Sequence, residues 1–407
     1  MVDPNLTQSL SDLLQEINSI LEAEAATALS DIGLHKGLAG VALFHFYYAR
    51  HTDQQPPADA GTQLIREIVQ RLNADFNIAT YCYGMAGFGW VLDHLIQQDL
   101  VEVDADGLLT QLDEPLRQQM MDDFARGFYD HMHGALGYSL YFLQRYRTTA
   151  DPALRAYYLN CIKDTLKEIR RLAKPQATGL AWAMRLEHTS GMSVYNLSLS
   201  HGMASMLLFL MEVKSTFGEA IPVDDLICGG VEFTIDQSGF SETSRYPAYL
   251  PESGNGPGAE GRLAWCYGDL GVGLALWQAG ALLHQPTWKE EALTTFLHAS
   301  TLRSPEQTRI QDADFCHGAL GVGAIFLRAY RLSQAPPLLD AAQHWLQEGL
   351  NMRQPNQGLA GFVHWSPADQ AYIPQHDLLN GIAGIGLGLL SYLTEQNRGW
   401  EAALLIP

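Results

Sequence analysis

The sequence predicts an all-α protein, an α/α toroid made of seven helical-hairpin repeats. Three observations predict it. A small-residue signature recurs seven times, an apolar run of helical length follows it, and amphipathic stretches fill the intervals.

The signature reads HKGLAG ending at Gly40, CYGMAGFG ending at Gly89, MHGALG ending at Gly137 and SHGMAS ending at Ser205. It continues as CYGDLGVG ending at Gly273, CHGALGVG ending at Gly323 and LNGIAGIG ending at Gly386. The first glycines are Gly37, Gly84, Gly134, Gly202, Gly268, Gly318 and Gly381, separated by 47 to 68 residues, enough for two helices and two connections. Apolar runs such as VALFHFYYA, YSLYFL and GLGLLSYL predict an inner helix beginning at each signature. Glycine and alanine three or four apart share a helix face and permit close approach, so the glycines read as packing devices without chemistry. Ser205, at the place of a second glycine, predicts looser packing in repeat four. LIREIVQRL and LLDAAQHWLQEGL have the spacing of amphipathic outer helices.

Extended alternation is confined to VEVDADGLL and to Val231–Gly261, where SGNGPGAEG marks a long excursion at about 218–261 between repeats four and five. A repeat architecture accommodates all of 1–407 as a single domain, because each unit packs on its neighbours. The first twenty residues read as an amphipathic helix rather than a signal peptide, and no apolar run is long enough to span a bilayer.

Composition is that of a folded chain, 47% hydrophobic and 17% charged, with a formal net charge of -20. Such a surface disfavours nucleic acid and anionic membranes as partners. Five cysteines, an odd number in a long chain, argue against a disulfide framework and for a reducing, cytoplasmic setting.

The loops just ahead of the glycines are where such a scaffold can vary its chemistry. Directly before the first glycine stand Lys36, Tyr83, His133, His201, Tyr267, His317 and Asn380. One position earlier come His35, Cys82, Met132, Ser200, Cys266, Cys316 and Leu379. Cys266 and Cys316 belong to repeats five and six, which are neighbours in a ring, and His317 completes a Cys₂His set. Thiolate and imidazole are zinc donors, and three protein ligands leave the open position that catalysis requires. Cys82 has the same local context but lies in repeat two, across the ring, and reads as a packed thiol. His133 is evenly balanced between a site role and a structural one. His45, His94 and His131 read as structural.

The strings RLAWCYGDLGVG, FCHGALGVG, NLSLSHG and YDHMHGALG resemble the lanthionine synthetase C family, and the resemblance runs from about Gly33 to Leu393. It implies an α/α toroid holding one Zn²⁺ through Cys266, Cys316 and His317. It also implies a site containing Asp130, four positions before Gly134, and His201 as the acid/base histidine. Arg262, four before Cys266, and Tyr267, directly after it, complete the implied set. The implied reaction adds a peptide cysteine thiol to dehydroalanine or dehydrobutyrine, closing a thioether ring. On that reading His201 protonates the α-carbon, Asp130 orients or tunes His201, Arg262 stabilises the enolate oxygen and Tyr267 assists.

The implied partners are a dehydrated precursor peptide with its leader, a separate dehydratase, since the length leaves no room for a fused one, and an exporter. The implied location is the cytoplasm, free or at the edge of a membrane-bound biosynthetic complex. Two alternatives stay open at this level: addition of glutathione to dehydroamino acids, and a non-catalytic, zinc-stabilised peptide-binding scaffold.

Overall fold

The computed structural model describes residues 4–74, 76–186, 191–254, 256–394 and 399–407. The chain begins with helices α1 (Pro4–Ala28), α2 (Leu38–Thr52), α3 (Gln55–Asn73), α4 (Met85–Gln97) and α5 (Ala105–Ala125). It continues through α6 (Ala135–Thr148), α7 (Pro152–Leu172), strands β1 (Ala173–Pro175), β2 (Leu180–Leu186) and β3 (Met192–Asn196), α8 (Met203–Phe217) and α9 (Asp224–Asp236). Strands β4 (Pro247–Pro251) and β5 (Ala259–Glu260) lead to α10 (Asp269–Leu282), α11 (Pro286–Ala299) and the short α12 (Pro305–Thr308). The last elements are α13 (Ala319–Ser333), α14 (Pro336–Asn351), β6 (His364–Ser366), β7 (Ala371–Ile373) and α15 (Ile382–Leu393).

Each first glycine of the signature is the residue immediately before a helix: α2, α4, α6, α8, α10, α13 and α15. None of these glycines offers a side-chain cap, and the preceding loop supplies the missing acceptors instead. The first helical N–H reaches a carbonyl seven residues back, as in Met85 to Ile78, Ala135 to Phe128 and Ile382 to Gln375. That curl explains the glycines. A Cβ on Gly84 would lie 1.9 Å from the Ile78 oxygen, and one on Gly384 would lie 1.8 Å from the Leu378 oxygen. Thus the first two glycines of a signature close a loop onto its own helix, more than they join helix to helix. The third does meet a neighbour: Gly273 faces the Phe296 ring and Gly386 the Phe44 ring. Ser205 fits by turning its buried hydroxyl back to the Gly202 carbonyl.

Two compact units are formed, one from Met1–Leu109 with Ile310–Ile406 and one from Thr110–Arg309. In the first, the nearly wholly buried helices α13, α15, α2 and α4 pack successively side by side. The amphipathic α14 covers α13, and α3 covers α2. Helix α1, apolar along Leu10, Leu14, Ile17 and Leu21, lies on both α15 and α2, so repeat seven borrows its outer helix from the other end of the chain. In the second unit α6, α8 and α10 form the buried row, with α7, α9 and α11 packed against them.

The sheets were less legible. The second unit contains an antiparallel sheet in the order β1-β2-β3-β4-β5, of which only the latter part falls in the expected excursion. The stretch at 218–261 itself begins with a 3-10 turn and α9, so Val231–Asp236 are helical. VEVDADGLL holds no strand: Val101–Asp104 are irregular and α5 starts at Ala105. The sheet matters to the loops, because β3 runs directly into Leu197–His201 and β5 into Arg262–Tyr267. Backbone pairing of Leu197 N–H to the Ala248 carbonyl fixes the first of these departures.

Candidate active-site loops

The pre-glycine loops are stapled to one another by a recurring backbone device. In the first unit the Cys82 carbonyl accepts the N–H groups of His35 and Lys36, the Leu379 carbonyl those of Phe315 and Cys316, and the His35 carbonyl that of Leu379. In the second unit the Cys266 carbonyl accepts from Leu199 and Ser200. Side-chain N–H takes the same place at the remaining staple of that unit, where His131 Nδ1 donates to the Ser200 carbonyl at 2.9 Å. His131 is therefore structural, as expected, and so are His45, bonded to Asn18, and His94, bonded to the Tyr47 hydroxyl.

A second device uses the residue four before the glycine. Its side-chain oxygen accepts the N–H of the residue just before the glycine: Thr80 from Tyr83, Asp130 from His133, Ser198 from His201, Asp314 from His317 and Asp377 from Asn380. An aspartate has a second oxygen to use. In all three cases it reaches the side chain just before the next repeat's glycine: Asp130 to His201, Asp314 to Asn380 and Asp377 to Lys36.

In the Thr110–Arg309 unit this arrangement produces an acid–base pair. Asp130, 3% exposed, accepts the Met132 and His133 N–H groups on Oδ1 and the Nδ1–H of His201 on Oδ2 at 2.5 Å. An ionised carboxylate only accepts, so Nδ1 carries the hydrogen and Nε2 is left for proton transfer. Burial works against charge on Asp130, but His201, with His133 and His131 behind it, holds the carboxyl well below the usual carboxylate range. Burial likewise opposes charge on His201, and Asp130 outweighs it and raises the imidazole above its ordinary value. The His133 ring stacks on His201 at 5.6 Å between centroids, and Tyr267 lies tilted against it at 5.7 Å.

Asp130, His201 and Tyr267 are thus brought together, and His133 joins them, a placement the sequence left undecided. Cys266, buried, precedes Tyr267 in the same loop. Arg262 begins that loop, but its guanidinium donates to the Arg309 carbonyl at 2.7 Å.

Cys316 and His317 stand in the other unit, ahead of α13. Three residues not singled out in the sequence surround His317 there. Asp314 accepts the His317 and Gly318 N–H groups on Oδ1, and the His364 Nδ1–H and Asn380 Nδ2–H on Oδ2, both at 2.8 Å. His364 Nδ1 is also 3.3 Å from Asp312 Oδ2, which accepts the Trp365 N–H. Burial opposes a charge on His364, yet its bonds to Asp312 and Asp314 push it up to about 9. Asp312, Asp314, His317 and His364 bring potential ligand atoms within 4.8 Å of one another. An aspartate four before the glycine in repeats three, six and seven was the available signal for Asp314. Nothing local marks His364. Cys82 is buried in the same unit and anchors a neighbouring loop through its carbonyl.

Stacked helical hairpins whose loops carry an acid–base pair, cysteines and histidines define the class: an α/α repeat protein with polar side chains clustered in the loops ahead of its inner helices. The family model for lanthionine synthetase C-like proteins matches residues 29–405, and the chain belongs to that family. Nisin cyclase, among solved structures, is similar with a TM-score of 0.75 over 98% of both chains at 17% identity. The fold is therefore the α/α toroid that the repeats predicted. Cellobiose 2-epimerase from Bacillus thermoamylovorans is 10% identical over 96% of this chain and 99% of its own, with a TM-score of 0.49, too distant to bear on function. No curated protein sequence matches the chain.

Proposed function

We propose that the protein is a zinc-dependent lanthipeptide cyclase. It joins cysteine thiols of a dehydrated precursor peptide to dehydroalanine or dehydrobutyrine, giving lanthionine or methyllanthionine rings. The observation that carries the reading is the Asp130–His201 pair, in which a buried carboxylate presents a partly exposed imidazole with a fixed tautomer and a raised proton affinity. Family membership and the fold shared with a protein named as the cyclase of nisin support the substrate class.

The proposed metal ligands are Cys266, Cys316 and His317. Two thiols and an imidazole are a donor set that zinc favours, and they leave a fourth position for substrate. Bound zinc would lower the pKa of a substrate thiol, which is mostly protonated near neutral pH when free. The chain's own residues do the rest. As sulfur bonds to the β-carbon, charge develops on the carbonyl oxygen of the dehydroamino acid, and the proton displaced from the thiol is matched by one delivered to the α-carbon. His201 Nε2 delivers it, with Asp130 compensating the imidazolium. Tyr267 donates a hydrogen bond within the site. Arg262 leaves the Arg309 carbonyl to meet the enolate oxygen, an always-charged donor where negative charge appears.

A separate dehydratase would supply the peptide and an exporter would remove the product. Among the described residues no helix is long and apolar enough to cross a membrane. We place the reaction in the cytoplasm, free or at the edge of a membrane-bound complex.

Addition across a double bond leaves mass unchanged and removes a thiol. A dehydrated precursor incubated with the protein should keep its mass while losing its reactivity to an alkylating reagent. A peptide that stays fully alkylable would overturn the reading in favour of a binding scaffold. A mass increase with glutathione present would replace it with glutathione addition.

A further inference from the structure

We infer that Asp314, backed by His364 and Asn380, is a positioning residue for His317 and sets the strength with which the site holds its metal. The inference rests on the proposed zinc ligation and concerns only residues of one compact unit.

An imidazole bound to a metal through one nitrogen is free to swing unless something holds the ring or its other nitrogen. The His317 Nε2 lies 3.6 Å from Asp314 Oδ2, an ion-pair separation longer than a hydrogen bond. At that distance the carboxylate lies beside the ring without bonding to it. The same aspartate fixes the His317 backbone through Oδ1, at 2.9 Å. One side chain therefore fixes the main chain of the proposed ligand and stands beside its ring.

Asp314 is itself immobilised. It is 2% exposed, and its four hydrogen bonds come from two backbone N–H groups, His364 and Asn380. His364 arrives from β6, 50 residues along the chain, with its ring 5.5 Å from that of His317 at a steep angle. In turn, Asp312 receives the Trp365 N–H and holds β6 in place. Asp377 supplies the contrast. It forms the same turn in repeat seven, on the Asn380 N–H, and its second oxygen takes Lys36, so it bears on Asp314 only through Asn380, whose N–H an amide oxygen at 377 would still accept. A purely architectural role for this position would make the two aspartates equivalent.

Zinc content and affinity of the purified full chain test this, measured by competition with a chromogenic chelator. The parent is expected to hold one zinc. Asp314→Asn is expected to weaken zinc binding by roughly 10- to 100-fold, whereas Asp377→Asn keeps the parental affinity even if it lowers the melting temperature. His364→Phe should weaken binding and His364→Gln, which retains an N–H donor, should recover most of it; this pair carries the test if Asp314→Asn does not fold. Parental affinity in Asp314→Asn, or equal losses in Asp314→Asn and Asp377→Asn, would overturn the inference while leaving the cyclase reading intact. Two zinc ions in the parent would also overturn it, by making the Asp312–Asp314–His317–His364 cluster a site of its own. No zinc in the parent would remove the metal reading and this inference together.

Discussion

Asp130 holds His201 by a 2.5 Å hydrogen bond from Nδ1 while its other oxygen closes the turn of its own loop. The pair is one of three in which an aspartate four before a signature glycine grips the next repeat. In the other two the partners are Asn380 and Lys36. The same architectural clamp holds a titratable ring where the gripped residue is a histidine. Its titration then depends on the clamp.

Asp130→Asn should retain the turn, since an amide oxygen still accepts, but remove the charge that raises His201. The folded pKa of His201 then falls, so the protonated acid is lost at lower pH. The alkaline limb of the kcat profile should move down in pH, and kcat near neutrality should drop by about 100-fold, within the span of general acid–base catalysis. A profile that keeps its parental alkaline limb would show that Asp130 does not tune the acid.

Zinc analysis separates the cysteines. Cys266→Ala and Cys316→Ala should each lose the metal while keeping most helical circular dichroism, since the helices are capped by backbone carbonyls independent of the thiols. Cys82→Ala should keep it. Stoichiometric zinc in Cys316→Ala would remove that residue from the ligand set.

Buried neutral histidines predict acid sensitivity. Burial lowers His45 and His94 to about 4, below the ordinary value of 6.5. The unfolded chain therefore binds protons that the folded chain refuses, so stability is full above about 6.5 and is lost as pH falls toward 4. Each should cost about 2 kcal/mol by pH 5. Urea midpoints at pH 7.5 and pH 5 measure the loss, and His45→Gln should reduce the difference. An unchanged difference in that variant would remove His45 as a cause.

Gly268 alone among the seven first glycines has a positive φ, 117°, and a Cβ there would lie 2.1 Å from the Arg262 carbonyl oxygen. Gly268→Ala should cost roughly 1–3 kcal/mol of backbone strain and displace the loop of Arg262, Cys266 and Tyr267. Gly127→Ala, also at positive φ but in open space, provides the control for strain without the collision. If both variants melt alike and both cyclise peptide, the collision is relieved at no cost.

Much of the site was legible because repeat register converts sequence position into loop position. Asp130, His201 and Tyr267 lie together, and the ring of His133, which the sequence leaves evenly balanced between two roles, stacks on His201. Arg262 is placed on the expected loop, with its guanidinium on the Arg309 carbonyl. The aspartate device is not legible in the sequence, since an aspartate has the same spelling whether it caps a turn or grips a neighbour. Nor are strands β1 to β3, short segments whose pairing lies outside their own sequence.

The sequence by itself determined where the seven inner helices begin, because each start depends on a loop within seven residues curling onto a glycine that leaves no Cβ in its way. It determined the fold class for the same reason, since the start recurs at intervals that fit a hairpin. Only the tertiary structure decided which side chain each aspartate oxygen meets, and that His364 stands beside His317. Those partners lie 50 to 341 residues apart along the chain. No local propensity encodes such contacts; they exist only once the packed helices have fixed which loops are neighbours.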